Sequence, residues 1–131
     1  MLRECPSVKP SNTVTLSSIN ISTLLETASD IGGKDPKFLI ELIDSYLDNS
    51  QSLLQQLYTS FAQKNFEVML LTVHTLKSSS SVIGAEYLAT LCRELETNLR
   101  NQAYEDLDIK INKITDEYAN VKSELEHEKY H

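Results

Sequence analysis

The sequence predicts an all-α protein: an antiparallel up-and-down four-helix bundle with a short N-terminal helix capping one end. Three observations point there. Glycine and proline number only three each among 131 residues, and so few breakers leave room for long helices. Apolar residues recur at steps of three and four over four long stretches, the period of an amphipathic helix. Short polar connections join those stretches, which makes neighbouring helices antiparallel.

Residues 1–17 hold Pro6 and Pro10 among Ser, Thr and Asn, without a helical period. They read as a flexible arm or linker ahead of a bundle domain spanning 18–131. A short helix follows from about Ile19 to Ser29, carrying Ile21, Leu24, Leu25 and Ala28 on one side. Ile31-Gly32-Gly33-Lys34 is a loop, and Asp35-Pro36 opens the first long helix, to about Gln63. Aspartate accepts from free N–H groups there, and proline suits a first turn. The stripe of this helix runs through Phe38, Leu39, Leu42, Ile43, Tyr46, Leu47, Leu53, Leu54, Leu57, Tyr58 and Phe61.

Lys64-Asn65 is a turn in which Asn65 caps the next helix, Phe66 to Ile83, and Gly84 ends that helix or bends the chain. A further helix covers Ala85 to Arg100, with Leu88, Leu91, Cys92, Leu95 and Leu99 inward. The last runs from about Tyr104 to Glu128. Its seam of Leu107, Ile111, Ile114, Tyr118, Val121 and Leu125 suits shallow antiparallel packing.

Twelve Lys and Arg against nineteen Asp and Glu leave a net charge of -7. There is no basic stripe of the kind a nucleic-acid binder shows, and the sign is wrong for an anionic membrane. No apolar run of about 18 residues is present to cross a bilayer. Met1 to Asn20 lacks the apolar centre of a signal peptide, so the cytoplasm is the expected location. Cys5 lies in the arm and Cys92 on an apolar stripe. They make a poor disulfide pair, and Cys92 reads as a small buried hydrophobe.

Projecting Phe66 to Ile83 at about 100° per residue separates two faces. Phe66, Met69, Val73, Leu76 and Ile83 form the core stripe, and His74 stands opposite them, in water. Its neighbours on the outer face are Glu67, Leu70, Leu71, Lys77, Ser78 and Ser81. An ordinary solvated face would be dominated by long charged side chains. Leu70 and Leu71 instead mark a patch for a partner, and the small Ser78 and Ser81 keep the surface low beside the imidazole. On exposure and spacing alone, His74 reads first as a surface histidine with no role.

The stretch His74-Thr75-Leu76-Lys77-Ser78-Ser79-Ser80-Ser81-Val82-Ile83-Gly84-Ala85, followed by Leu88, Cys92, Leu95 and Glu96, resembles the signature of histidine-containing phosphotransfer (HPt) domains. The motif covers about 23 residues, His74 to Glu96, and the helical pattern from residue 18 onward follows more loosely. The resemblance implies that His74 is the phospho-accepting nucleophile. Its Nε2 would attack the phospho-aspartate of a receiver domain and later pass the phosphoryl group to another. Lys77, one turn on, would balance the phosphoryl oxygens. Glu67, Leu70, Leu71, Ser78 and Ser81 would meet the partner. The receiver would bring Mg²⁺, because the chain has no carboxylate cluster of its own beside His74, only Glu67; it would bind no cofactor itself. The expected partners are receivers of a hybrid histidine kinase and of a response regulator, met by a monomer. Ser78 departs from the family, which usually has glycine there, and adds a hydroxyl that could bond to the imidazole.

Two other readings remain at this stage. One is the phospho-acceptor module of a chemotaxis-type histidine kinase. The other is a non-catalytic helical scaffold that binds partners through Leu70 and Leu71. Glu124, His127, Glu128 and His131 have the spacing of a surface metal site but read as a frayed, solvated terminus. Glu94, Glu96, Asp106 and Asp108 read as solvated helix faces, and Tyr104 and Tyr118 as core or boundary residues. No Gly-rich phosphate loop or catalytic dyad is present.

Overall fold

The computed structural model describes residues 17–33 and 35–129. Five helices follow one another: α1 (Ile21–Gly32), α2 (Pro36–Ala62), α3 (Phe66–Val82), α4 (Glu86–Arg100) and α5 (Leu107–Lys129). The last four form a ring in which α2 packs on α3, α3 on α4, α4 on α5 and α5 back on α2. Helix α1 lies across α2 and α3. This is the predicted bundle with its short capping helix. Residues 1–16, including Cys5 and nearly all of the expected arm, fall outside the described residues, as do Lys34 and His131.

The helix starts are set by the expected side chains. The Asp35 carboxylate accepts from the Lys37 N–H (2.9 Å), with Pro36 opening α2. The Asn65 side chain accepts from the Val68 N–H (3.2 Å) at the start of α3. Two helices differ from expectation by more than one residue. Helix α1 begins at Ile21, because Asn20 is its cap and accepts from Thr23 N–H, and it continues through the expected loop residues Ile31 and Gly32. Helix α5 begins at Leu107, three residues after Tyr104. The intervening chain turns through Gln102 and Asp106, both at positive φ, and the Tyr104 ring stacks on Phe66 at 3.9 Å.

The core follows the predicted stripes, except that Ile21, Leu25 and Tyr58 are exposed. Ile43, Leu57, Met69, Val73, Leu76, Leu88, Leu95, Ile114, Val121 and Leu125 are fully buried. Burying each such side chain contributes about 1.5–3 kcal/mol relative to exposure. That cost of turning α3 over fixes which face of it meets water. Two hydroxyl pairs lie inside the core: the Tyr46 hydroxyl bonds to Ser80 Oγ (2.8 Å) and the Tyr118 hydroxyl to Ser50 Oγ (2.8 Å). Ser80 and Thr72 are thus inward members of α3 that an apolar stripe does not flag.

The capping helix is held by polar anchors, among them the Asn20 side-chain amide donating to Glu86 (3.1 Å). The backbone N–H of Asn20 donates to Gly84 O (2.8 Å), and the Thr27 hydroxyl to Val82 O (2.8 Å). The Glu124 carboxylate accepts the N–H groups of Ser18 (2.8 Å) and Ile19 (2.9 Å). Glu124 is therefore an anchor and not part of a frayed end, and α5 stays helical to Lys129, whose ammonium pairs with Asp44 (2.6 Å). Among the described residues no group of three or more His, Cys, Asp or Glu could hold a metal ion, and no helix is long and apolar enough to cross a membrane.

Candidate functional site

His74 sits midway along α3, one residue after the buried Val73 and two before the buried Leu76, so its side chain leaves the bundle on the opposite face. The side chain is 52% exposed. Only one edge of the ring is held. Its Nδ1 stands 2.8 Å from Oε2 of Glu96, on the neighbouring helix α4. Lys77 Nζ donates to the other oxygen of that carboxylate, Oε1, at 2.6 Å. Arg100, one turn further along α4, donates from Nη2 to Oε2 at 2.8 Å. One carboxylate thus gathers an imidazole, an ammonium and a guanidinium.

Glu96 is only 4% exposed, and this overturns its reading as part of a solvated helix face. It follows Cys92 by four residues and precedes Leu99 by three, so the turn of α4 carries it toward the α3 interface. Burial opposes its charge. Lys77, Arg100 and His74 together outweigh that penalty and hold its pKa at about 2, below the ordinary 4.5. The carboxylate is therefore ionised at neutral pH and can only accept hydrogen bonds. Facing such an acceptor, a neutral imidazole carries its proton on Nδ1 and leaves the Nε2 lone pair free. Nε2 is on the other edge of the ring from the carboxylate, in a side chain that is half exposed.

Glu96 also corrects two further expectations. The carboxylate beside His74 comes from α4, whereas Glu67 is an exposed residue in the first turn of α3. The imidazole's hydrogen bond runs to Glu96 and not to Ser78, which is exposed on the same helix. Lys77 is less free than an outer-face lysine: its side chain is 27% exposed and committed to Glu96.

Residues 41–124 match the family model described as the Hpt domain, more than half of the chain. The chain belongs to the Hpt domain family. It is similar to the phosphorelay intermediate protein rdeA of Dictyostelium discoideum, with 30% identity over 97 residues. Those residues are 74% of this chain and 35% of that protein, so the chain spans about a third of its relative's length. In structure it resembles the histidine-containing phosphotransfer protein HptB of Pseudomonas aeruginosa PAO1, with a TM-score of 0.80, 22% identity, and coverage of 88% of this chain and 97% of that one. At that identity the likeness is one of fold. It also resembles the HPT domain of a sensor hybrid histidine kinase from Shewanella, with a TM-score of 0.69, 26% identity, and coverage of 84% and 92%.

The outer face of this Hpt domain differs from the flat patch expected of it. Leu71 is 64% exposed, but Leu70 is half-buried against the core. Leu70 forms the floor of a shallow groove with Phe66, Leu99 and Tyr104, and Glu67 and Arg100 stand on its rim. Ser81, like Ser78, is exposed and small. Cys92 lies behind the site with no exposure, and burial, reinforced by the charge of Glu96, pushes its thiol up to about 12. At neutral pH it is an inert packing group.

Proposed function

We propose that this Hpt domain is a phosphotransfer intermediate in a multistep phosphorelay, with His74 as the residue that carries the phosphoryl group. A phosphorylated receiver docks over the outer face of α3, and the Nε2 lone pair of His74 attacks the phosphorus of its aspartyl phosphate. The N–P bond forms as the P–O bond to the aspartate breaks, and the carboxylate leaves with the electron pair. The ring keeps its Nδ1 proton against Glu96 throughout. Transfer to a second receiver is the same step reversed.

The observation that carries this reading is the one-sided hold on the imidazole. A buried, ionised carboxylate orients Nδ1 and leaves Nε2 for an incoming partner. Phosphoryl transfer depends on alignment and charge stabilisation more than on covalent help, and those are what this site offers. Lys77 stands one turn from His74 to balance the phosphoryl oxygens. The Mg²⁺ that helps neutralise them belongs to the receiver's own acidic site. A receiver of a hybrid histidine kinase as donor, a response-regulator receiver as acceptor, a cytoplasmic setting and a monomeric chain complete the proposal.

The test is transfer from a receiver domain labelled with radioactive acetyl phosphate. The wild-type chain should acquire acid-labile, base-stable label, and His74→Gln should acquire none. Equal labelling of the variant would remove His74 from the role.

A further inference from the structure

Lys77 is asked to do two things that conflict. In the resting chain its ammonium is the one cation on Oε1 of Glu96 (2.6 Å) among the described residues. In the transfer step proposed above it must turn toward the phosphoryl oxygens. Leaving a buried carboxylate without a cation is strongly unfavourable. A lysine that was the sole counter-ion of Glu96 would therefore be held away from the reaction.

Arg100 resolves the conflict. It reaches the same carboxylate from α4, through Oε2, at 2.8 Å and four residues from Glu96. Its side chain is 56% exposed, so its planar donor fork can shift without disturbing the core. Arg100 is also the last residue of α4, where the helix end favours a cation. We infer that Arg100 is a positioning residue for phosphotransfer: it remains as counter-ion on Glu96 while Lys77 hands its ammonium over to the incoming phosphoryl group. The inference rests on His74 being the phosphoryl carrier.

Charge counting agrees with this. Around the neutral ring, Lys77 and Arg100 bring two positive charges and Glu96 one negative. Once the phosphoryl group is on Nε2, its two negative charges meet both cations and a ring still protonated at Nδ1, and the cluster with Glu96 sums to zero. Without Arg100 the same state carries a net negative charge at a buried carboxylate.

The experiment is single-turnover transfer from an acetyl-phosphate-labelled receiver domain, over a range of chain concentrations. Wild type, Arg100→Ala, Arg100→Lys, Lys77→Ala and the Lys77→Ala/Arg100→Ala double variant are compared, with His74→Gln as the blank. Arg100→Ala should lower the saturating rate about tenfold while the half-saturating concentration stays within about twofold, because the lost contact acts on the transfer step and not on docking. Arg100→Lys should recover most of the rate. Once the folded fraction, which falls because Glu96 then keeps neither cation, is measured by urea unfolding and divided out, the double variant should be no slower than Lys77→Ala, because without Lys77 there is nothing to hand over.

Three results would overturn the inference: an unchanged saturating rate in Arg100→Ala, an effect confined to the half-saturating concentration, or losses that multiply in the double variant. Failure of the wild-type chain to take label above the His74→Gln blank would instead remove the carrier role itself, and the inference with it.

Discussion

His74 and Glu96 lie 22 positions apart on different helices, yet Nδ1 of one stands 2.8 Å from Oε2 of the other. The pair gives a surface histidine a fixed orientation, and a neutral ring held there carries its proton on Nδ1. It also ties the site to the stability of the bundle, since Glu96 is buried and charged.

Stability should consequently fall in acid through Glu96. Its pKa is depressed in the folded chain, to about 2 from 4.5. The native state thus binds fewer protons than the unfolded one, and the stabilisation is present above about pH 4.5 and lost as pH falls toward 2. The two pKa values correspond to roughly 3 kcal/mol. Urea unfolding of wild type and Glu96→Gln should differ by about that much at pH 7 and converge near pH 2. A difference that persists undiminished at pH 2 would show that packing, and not charge, is what the substitution removes.

Lys77→Ala should slow transfer by about tenfold or more, since in the proposed step it removes the cation that balances the phosphoryl oxygens. The loss of stability should be about 1–2 kcal/mol, because Glu96 keeps Arg100 and His74. That is more than an exposed surface lysine would contribute. Single-turnover rates and urea midpoints measured on one preparation check both halves.

The two leucines of the outer face should respond differently. Leu71→Glu, at a site 64% exposed, should leave stability within about 0.5 kcal/mol but raise the half-saturating receiver concentration. Leu70→Ala should cost about 1–2 kcal/mol of stability as well, because Leu70 packs against the core. A titration of transfer rate against receiver, beside thermal melts, separates the effects.

Gly84→Ala should destabilise the chain by about 2–3 kcal/mol from left-handed strain and close contact together. Gly84 has φ +92, and a Cβ there would stand 2.7 Å from the carbonyl oxygen of Asn20. Relief requires α1 to lift away from the α3–α4 turn. Faster amide exchange at Asn20, whose N–H donates to Gly84 O, would report that movement directly.

Most of the architecture was legible from apolar periodicity, because all four long helices bury one continuous stripe each. The seam Leu107, Ile111, Ile114, Tyr118, Val121 and Leu125 is buried throughout, as read. Helix ends were legible where a side chain caps them, as at Asp35 and Asn65. The start of α5 was not, because Tyr104 has helical spacing to the seam but is placed by its stack on Phe66, a long-range contact. His74 and Lys77 were singled out by the helix projection and the resemblance. Glu96 was within the quoted motif, yet its charge sent it to the solvated face. A stricter reading of register was available: Glu96 stands four after Cys92 and three before Leu99, both on the buried stripe. A carboxylate at such a position must have cations waiting for it, and the nearest helix offers Lys77 and His74. The role of Glu124 had no such signal, since its partners are backbone N–H groups at the other end of the chain.

The turn at Gly84 joins the two helices that supply His74, Lys77, Glu96 and Arg100. All four side chains of the candidate site therefore belong to one helical hairpin, and α2 and α5 form a wall behind it. Residues on that wall can drift so long as their shapes still fit, whereas the hairpin must be inherited as a unit. Such a unit is portable: a different pair of supporting helices could carry the same chemistry unchanged.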